Sequence, residues 1–131
     1  MTATLSNFLL VFLGGGLGSI CRYALSLALA PWQPRFPWAT LLANGLACLA
    51  LGYLIGLQAE TGTQGLSTAK RLLLATGFCG GFSTFSTFTA ENWQLWHSGQ
   101  ALAALLNLLA NLALCLLCLW WGLRWALGGN G

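Results

Sequence analysis

Four stretches of nearly unbroken apolar sequence constrain this chain more than anything else in it. They cover about residues 7–30, 38–57, 70–96 and 101–123. A helix needs roughly 20 residues to cross a hydrocarbon core of about 30 Å, so each stretch is long enough to span a membrane. The segments between them are shaped to stop helices. The 31–37 segment carries all three prolines, the 58–69 loop is polar with Gly62 and Gly65, and residues 97–100 read as a short turn. Trp32, Trp38, Trp93, Trp96, Trp120, Trp121 and Trp125 gather at the ends of the stretches, where an aromatic belt belongs. Residues 1–131 thus read as one all-α transmembrane domain of four helices.

Charge supports the same class. Only 5% of the residues are charged, whereas a soluble domain carries about 25%. Arg22, Arg35, Lys70, Arg71 and Arg124 face only Glu60 and Glu91, and the net +3 is scattered along the chain. No basic patch forms, so nucleic acid is excluded as a partner. The five cysteines are odd in number and lie in apolar sequence, which argues against a disulfide framework. Cys115-x-x-Cys118 has no second pair and reads as two small hydrophobes. The N-terminus lacks a basic n-region, so the first apolar stretch is expected to stay in the mature chain. No cluster of His, Cys and carboxylate marks an enzyme.

With four spans, both termini share a side with the 58–69 loop, Lys70, Arg71 and Arg124. Arg35 lies on the other side, and Arg22 joins it if it ends the first span. Such a weak bias permits insertion either way up. An antiparallel dimer is thereby allowed but not required, and a homodimer is the default for so small a chain. Gly14-x3-Gly18 and Gly52-x3-Gly56 read as close-packing faces, within a subunit or between subunits.

The third stretch holds the most unusual run, Gly77-Phe-Cys-Gly-Gly-Phe-Ser-Thr-Phe-Ser-Thr-Phe-Thr89. Glycines followed by hydroxyl residues are poor helix formers. A continuous helix with a small-residue face is one reading. The other is a helix broken near its middle, which frees carbonyls for a cation and N–H groups for an anion. Phe85 and Phe88 share a face if the helix resumes there. They are either core aromatics or ring edges, positive at the rim, turned toward an anion. Ser86 and Thr87 add hydroxyl donors between them.

Thr40 and Asn44 stand four apart in the second stretch, as do Asn107, Asn111 and Cys115 in the fourth. Amides at membrane depth need partners. These are interhelical links or a polar track beside Phe85 and Phe88. Arg22 lies deep enough to be a functional-site residue, or else it snorkels to the interface. Glu91 falls one turn beyond Phe88 and is placed at a pore mouth, while Glu60 and His97 read as solvated.

The run from Gly77 to Glu91 resembles the signature of the Fluc (CrcB-like) fluoride channels. Gly14-Gly-Gly-Leu-Gly-Ser-Ile-Cys-Arg-Tyr23 and Pro37-Trp-Ala-Thr-Leu-Leu-Ala-Asn44 are similar to two further pieces of that family's pattern. The resemblance implies a dual-topology antiparallel homodimer in the cell (inner) membrane. It implies two parallel pores that let cytoplasmic fluoride leave passively. By motif position Phe85 and Phe88 correspond to the ring-edge box, Asn44 to the pore asparagine, and Arg22 to an arginine near the vestibule. Ser86, Thr87, Asn107 and Asn111 extend the expected pathway. The resemblance also implies a structural sodium ion at the dimer centre, held by the backbone carbonyls of Gly80 and Ser83 from each subunit. Ser83 stands where many relatives have Thr, and Asn107 and Asn111 where some have Tyr and Ser.

Two other readings compete. A non-conducting partner in a heterodimer is one, and the near-balanced Lys/Arg count argues against it. A small proton-coupled multidrug exporter is the other. It requires a carboxylate in the first span, and none occurs before Glu60.

Overall fold

The structure is a computed structural model in which residues 2–61 and 65–128 are described, without the side chains of Glu60 and Thr61. The solvated role expected of Glu60 lies outside the described residues. The described residues form helices and turns and include no strand: α1 (Thr2–Ala28), α2 (Trp38–Thr61), α3 (Thr68–Arg71), a π-helical segment (Leu72–Cys79), α4 (Gly80–Phe82), α5 (Phe85–His97) and α6 (Ala101–Gly128). Three helices are long and apolar enough to cross a membrane: α1, α2 over Trp38–Ala59, and α6. At 1.5 Å per residue, the 27 residues of α1 and 28 of α6 reach about 40 Å, more than a hydrocarbon core requires. The fourth expected span, about residues 70–96, is not one helix. It is assembled from α3, the π-helical segment, α4 and α5 in succession.

Glycine sets how these pieces meet. The molecule is built from two close pairings, α1 against the π-helical segment and α4, and α2 against α6. A Cβ on Gly14 would strike the carbonyl oxygen of Leu73, and one on Gly18 that of Phe78. From the other side, a Cβ on Gly81 would strike the carbonyl of Gly15. The second pairing repeats this: Gly52 lies on the Leu119 carbonyl, and Gly122 on that of Leu49. Main chains this close are the usual consequence of small-residue faces in membranes. Both glycine motifs expected from sequence are therefore used within one subunit.

The outer surface is apolar almost all round. Phe8 and Phe12 on α1, and Leu102, Leu112 and Leu117 on α6, are exposed, as suits helices facing lipid. The α5–α6 connection turns through Gly99 at φ 81. There the Gln100 N–H donates to the Leu95 carbonyl at 2.9 Å and the Gly99 N–H to Trp96 at 3.1 Å, closing the helix end. His97 stacks on Trp93 at 5.7 Å, exposed as expected.

Candidate functional site

Between α4 and α5 the chain takes two extended residues, Ser83 (φ −79, ψ 158) and Thr84 (φ −155, ψ 122). Local chemistry holds them there. The Ser83 N–H and Oγ both donate to the Cys79 carbonyl, at 3.0 and 2.8 Å. Thr84 caps α5, its Oγ1 accepting the Thr87 N–H at 3.2 Å. Capping of this kind competes directly with continued helix.

The second hold comes from α2. Asn44 Oδ1 accepts the Thr84 N–H at 2.7 Å, and Asn44 Nδ2 donates back to the Thr84 carbonyl at 3.2 Å. In an unbroken α-helix the Thr84 N–H would bond the Gly80 carbonyl, and the Thr87 N–H that of Ser83. Both donors are diverted, to Asn44 and to the Thr84 hydroxyl. The Gly80 and Ser83 carbonyls thereby lose their helical partners. A Cβ at Gly80 would have nothing within 4 Å, so this side of the interruption is open. Main-chain oxygens of this kind suit a hard cation. Among the described residues no cluster of three His, Cys, Asp or Glu side chains is placed to hold a metal.

Behind Asn44 the amides continue as a ladder. Its remaining proton goes to Asn111 Oδ1 at 3.1 Å, and Asn111 Nδ2 reaches Asn107 Oδ1 at 2.9 Å and the Asn107 carbonyl at 3.1 Å. The two expected polar faces thus meet. Both Nδ2 protons of Asn44 are committed within the protein. Asn107 is fully buried, and its Nδ2 has no partner.

Phe85 and Phe88 lie at the start of α5 with ring centroids 5.6 Å apart and planes tilted by 50°. They differ in setting: Phe85 is 78% exposed and Phe88 only 7%. Beside them Thr84 Oγ1 donates to Thr87 Oγ1 at 3.1 Å and pairs with Ser86 Oγ at 3.3 Å. This hydroxyl group sits at the N-terminus of a 13-residue helix, the positive end of its dipole.

Arg22 does not turn outward to an interface. Its Nε donates to the Gly81 carbonyl at 3.2 Å, where Ser19 Oγ also donates at 3.4 Å. Arg22 lines a cavity of about 320 Å³ together with Thr40, Thr87 and Glu91. Glu91 Oε1 accepts from Thr40 Oγ1 at 2.7 Å, and its buried Oε2 has no partner. A wider cavity of about 630 Å³ shares Ser26 and Glu91 with the first and adds Gln94, Ser98 and Gln100. Polar side chains thus run from the α5–α6 turn inward to Thr87.

Of the residues singled out from sequence, Asn44, Asn107 and Asn111 meet one another, Phe85 and Phe88 meet, and Arg22 reaches the interruption. Thr84, Ser19 and Gly81 were missed. Thr84 had a readable signal, a hydroxyl three residues before Thr87 in the pattern of an N-cap. Gly81 had none, since it acts through its carbonyl.

The sequence also matches proteins already described. Residues 9–123 match the family described as CrcB-like protein, Camphor Resistance (CrcB). A protein of Prosthecochloris aestuarii named fluoride-specific ion channel FluC is 44% identical over 84 residues, covering 64% of each chain. Its namesake in Pyrococcus furiosus is 51% identical over 77 residues, covering 57% of this chain and 58% of the relative. That of Pyrococcus abyssi is 46% identical over 80 residues, covering 61% and 63%. Each match takes in less than two thirds of the relative's length.

Proposed function

The chain belongs to the CrcB-like family, and on that premise we propose that it forms a fluoride-selective passive channel that lets cytoplasmic fluoride leave the cell. The observation that carries the reading is the tilted Phe85–Phe88 pair, set beside the Thr84, Ser86 and Thr87 hydroxyls at the head of α5. Fluoride is small and strongly hydrated. A pore that passes it replaces water with several weak donors and no deep fixed charge, so that binding still allows release. Ring edges, hydroxyls and the unpartnered Asn107 Nδ2 are such donors. Asn44 belongs to the pathway chiefly by holding the interruption in shape, since both its amide protons are engaged. Arg22 and the polar cavity at Glu91 form the vestibule through which the anion approaches.

The assembly in this reading is an antiparallel homodimer in the inner membrane, with residues 70–96 as its fourth, interrupted span. The openness at Gly80 and the Gly80 and Ser83 carbonyls, relieved of their helical donors, fit a sodium ion shared with a second copy. Bound there, it would supply positive potential and tie the two halves together. What these residues contribute is the placing of carbonyl oxygens, with Asn44 and Thr84 keeping the N–H groups away.

The deciding experiment is fluoride efflux from liposomes holding the purified chain alone, read with a fluoride electrode against a chloride control. Fluoride-selective release supports the proposal. No release from a folded dimer overturns it in favour of a subunit that needs a different partner.

A further inference from the structure

At the end of the molecule opposite the α5–α6 turn, α2 and the π-helical segment diverge around a groove of about 450 Å³. Leu51, Leu54, Ile55 and Ala75 make most of its wall, and Gln58 and Arg71 stand among them. One charged group sets it apart from an ordinary gap between helices. Arg71 is exposed in the last turn of α3, next to Lys70, whose N–H donates to the capping Ser67 Oγ at 3.3 Å. The apolar span of α2 ends at Ala59, so Gln58 and Arg71 lie at headgroup depth with the apolar wall running inward from them.

An apolar slot topped by an exposed cation has a definite chemical complement. We propose that this groove holds an anionic phospholipid. The phosphate pairs with the Arg71 guanidinium, which suits phosphate by its forked donors. One acyl chain lies along Leu51, Leu54 and Ile55. The inference needs only the membrane setting and is independent of what the protein conducts.

The test uses the full chain purified in detergent and titrated with phosphatidylglycerol, phosphatidylmethanol or phosphatidylcholine of identical acyl chains. Bound lipid is counted by native mass spectrometry. Phosphatidylglycerol is expected to be retained roughly fivefold over phosphatidylcholine, the worth of one interfacial cation. Arg71→Gln should reduce it to the phosphatidylcholine level, and Arg71→Lys should restore much of the difference. Phosphatidylmethanol, which carries the phosphate without the glycerol headgroup, should be retained like phosphatidylglycerol. Ala75→Trp fills the groove and should lower all three, so the proposal stays testable if Arg71→Gln does not fold. Equal retention of the three lipids overturns it, as does a preference that survives Arg71→Gln. Displacement of the lipid by glycerol phosphate at equal concentration would assign the site to a free phosphate instead. Loss of dimer in Ala75→Trp with no lipid preference would assign the groove to a second copy of the chain.

Discussion

Asn44 and Thr84 are joined twice, the side-chain amide of one closing a ring on the main-chain N–H and C=O of the other at 2.7 and 3.2 Å. The amide acts as a peptide group borrowed from another helix. It supplies the acceptor for a main-chain N–H that the extended conformation takes away from the helical ladder.

Removing that ring should cost fold and function together. Asn44→Leu leaves the Thr84 N–H unpaired, and one buried orphan group costs about 1–3 kcal/mol. We expect a lower melting temperature in detergent and loss of fluoride efflux. Asn44→Asp keeps the acceptor but loses both donors, and is expected to be nearly as damaging.

The ring pair separates conduction from folding. Phe85 is 78% exposed, so Phe85→Ile should leave assembly and melting temperature almost unchanged. If its edge faces fluoride, losing about 0.5–1.5 kcal/mol of edge interaction lowers flux by up to roughly tenfold. Phe88→Ile should do the same at a stability cost near the limit for apolar swaps, about 1.5 kcal/mol. Undiminished efflux from both variants would remove the rings from the pathway.

Two glycines offer a paired test of packing. Gly18→Ala drives a methyl into the Phe78 carbonyl, and overpacking of that kind costs about 1–3 kcal/mol. Gly80→Ala meets nothing within 4 Å. It should be neutral or slightly stabilising, by about 0.4–1 kcal/mol through the unfolded chain. Melting curves of the two variants in the same detergent check the contrast.

Gly80→Ala also keeps its carbonyl, so it should conduct. Replacing sodium by N-methyl-D-glucamine on both sides of the liposome should reduce efflux and weaken dimer association, seen by cross-linking. Full efflux without sodium would count against the cation proposed for the Gly80 and Ser83 carbonyls.

Much of this was legible in the sequence, and the reason differs by residue. Asn44, Asn107 and Asn111 announce themselves because an amide in an apolar run must find a partner, and their four-residue spacing puts them on one face. Gly14, Gly18 and Gly52 were readable as packing faces because only small residues let main chains approach so closely. What they pack against was not readable. The carbonyls of Leu73, Phe78 and Leu119 belong to main chain, and any residue type supplies one. The same holds for Gly81, which anchors Arg22 and Ser19 through an oxygen that no side-chain pattern encodes. The glycine and hydroxyl run of residues 77–89 reads as poor helix, but neither it nor hydropathy foretells a π-helical segment over Leu72–Cys79 or which two residues turn extended.

The borrowed amide also bears on the order in which the protein is made. Synthesis runs from the N-terminus, so α2 and its Asn44 leave the ribosome about forty residues before Thr84 does. The template that keeps residues 83 and 84 extended is therefore already in place when they emerge. Asn111, which fixes the other proton of Asn44, comes last. Until it arrives, the third segment has a shape imposed on it by a side chain still free to turn. A chain interrupted before α6 should bind that shape loosely, and the final helix acts as the latch.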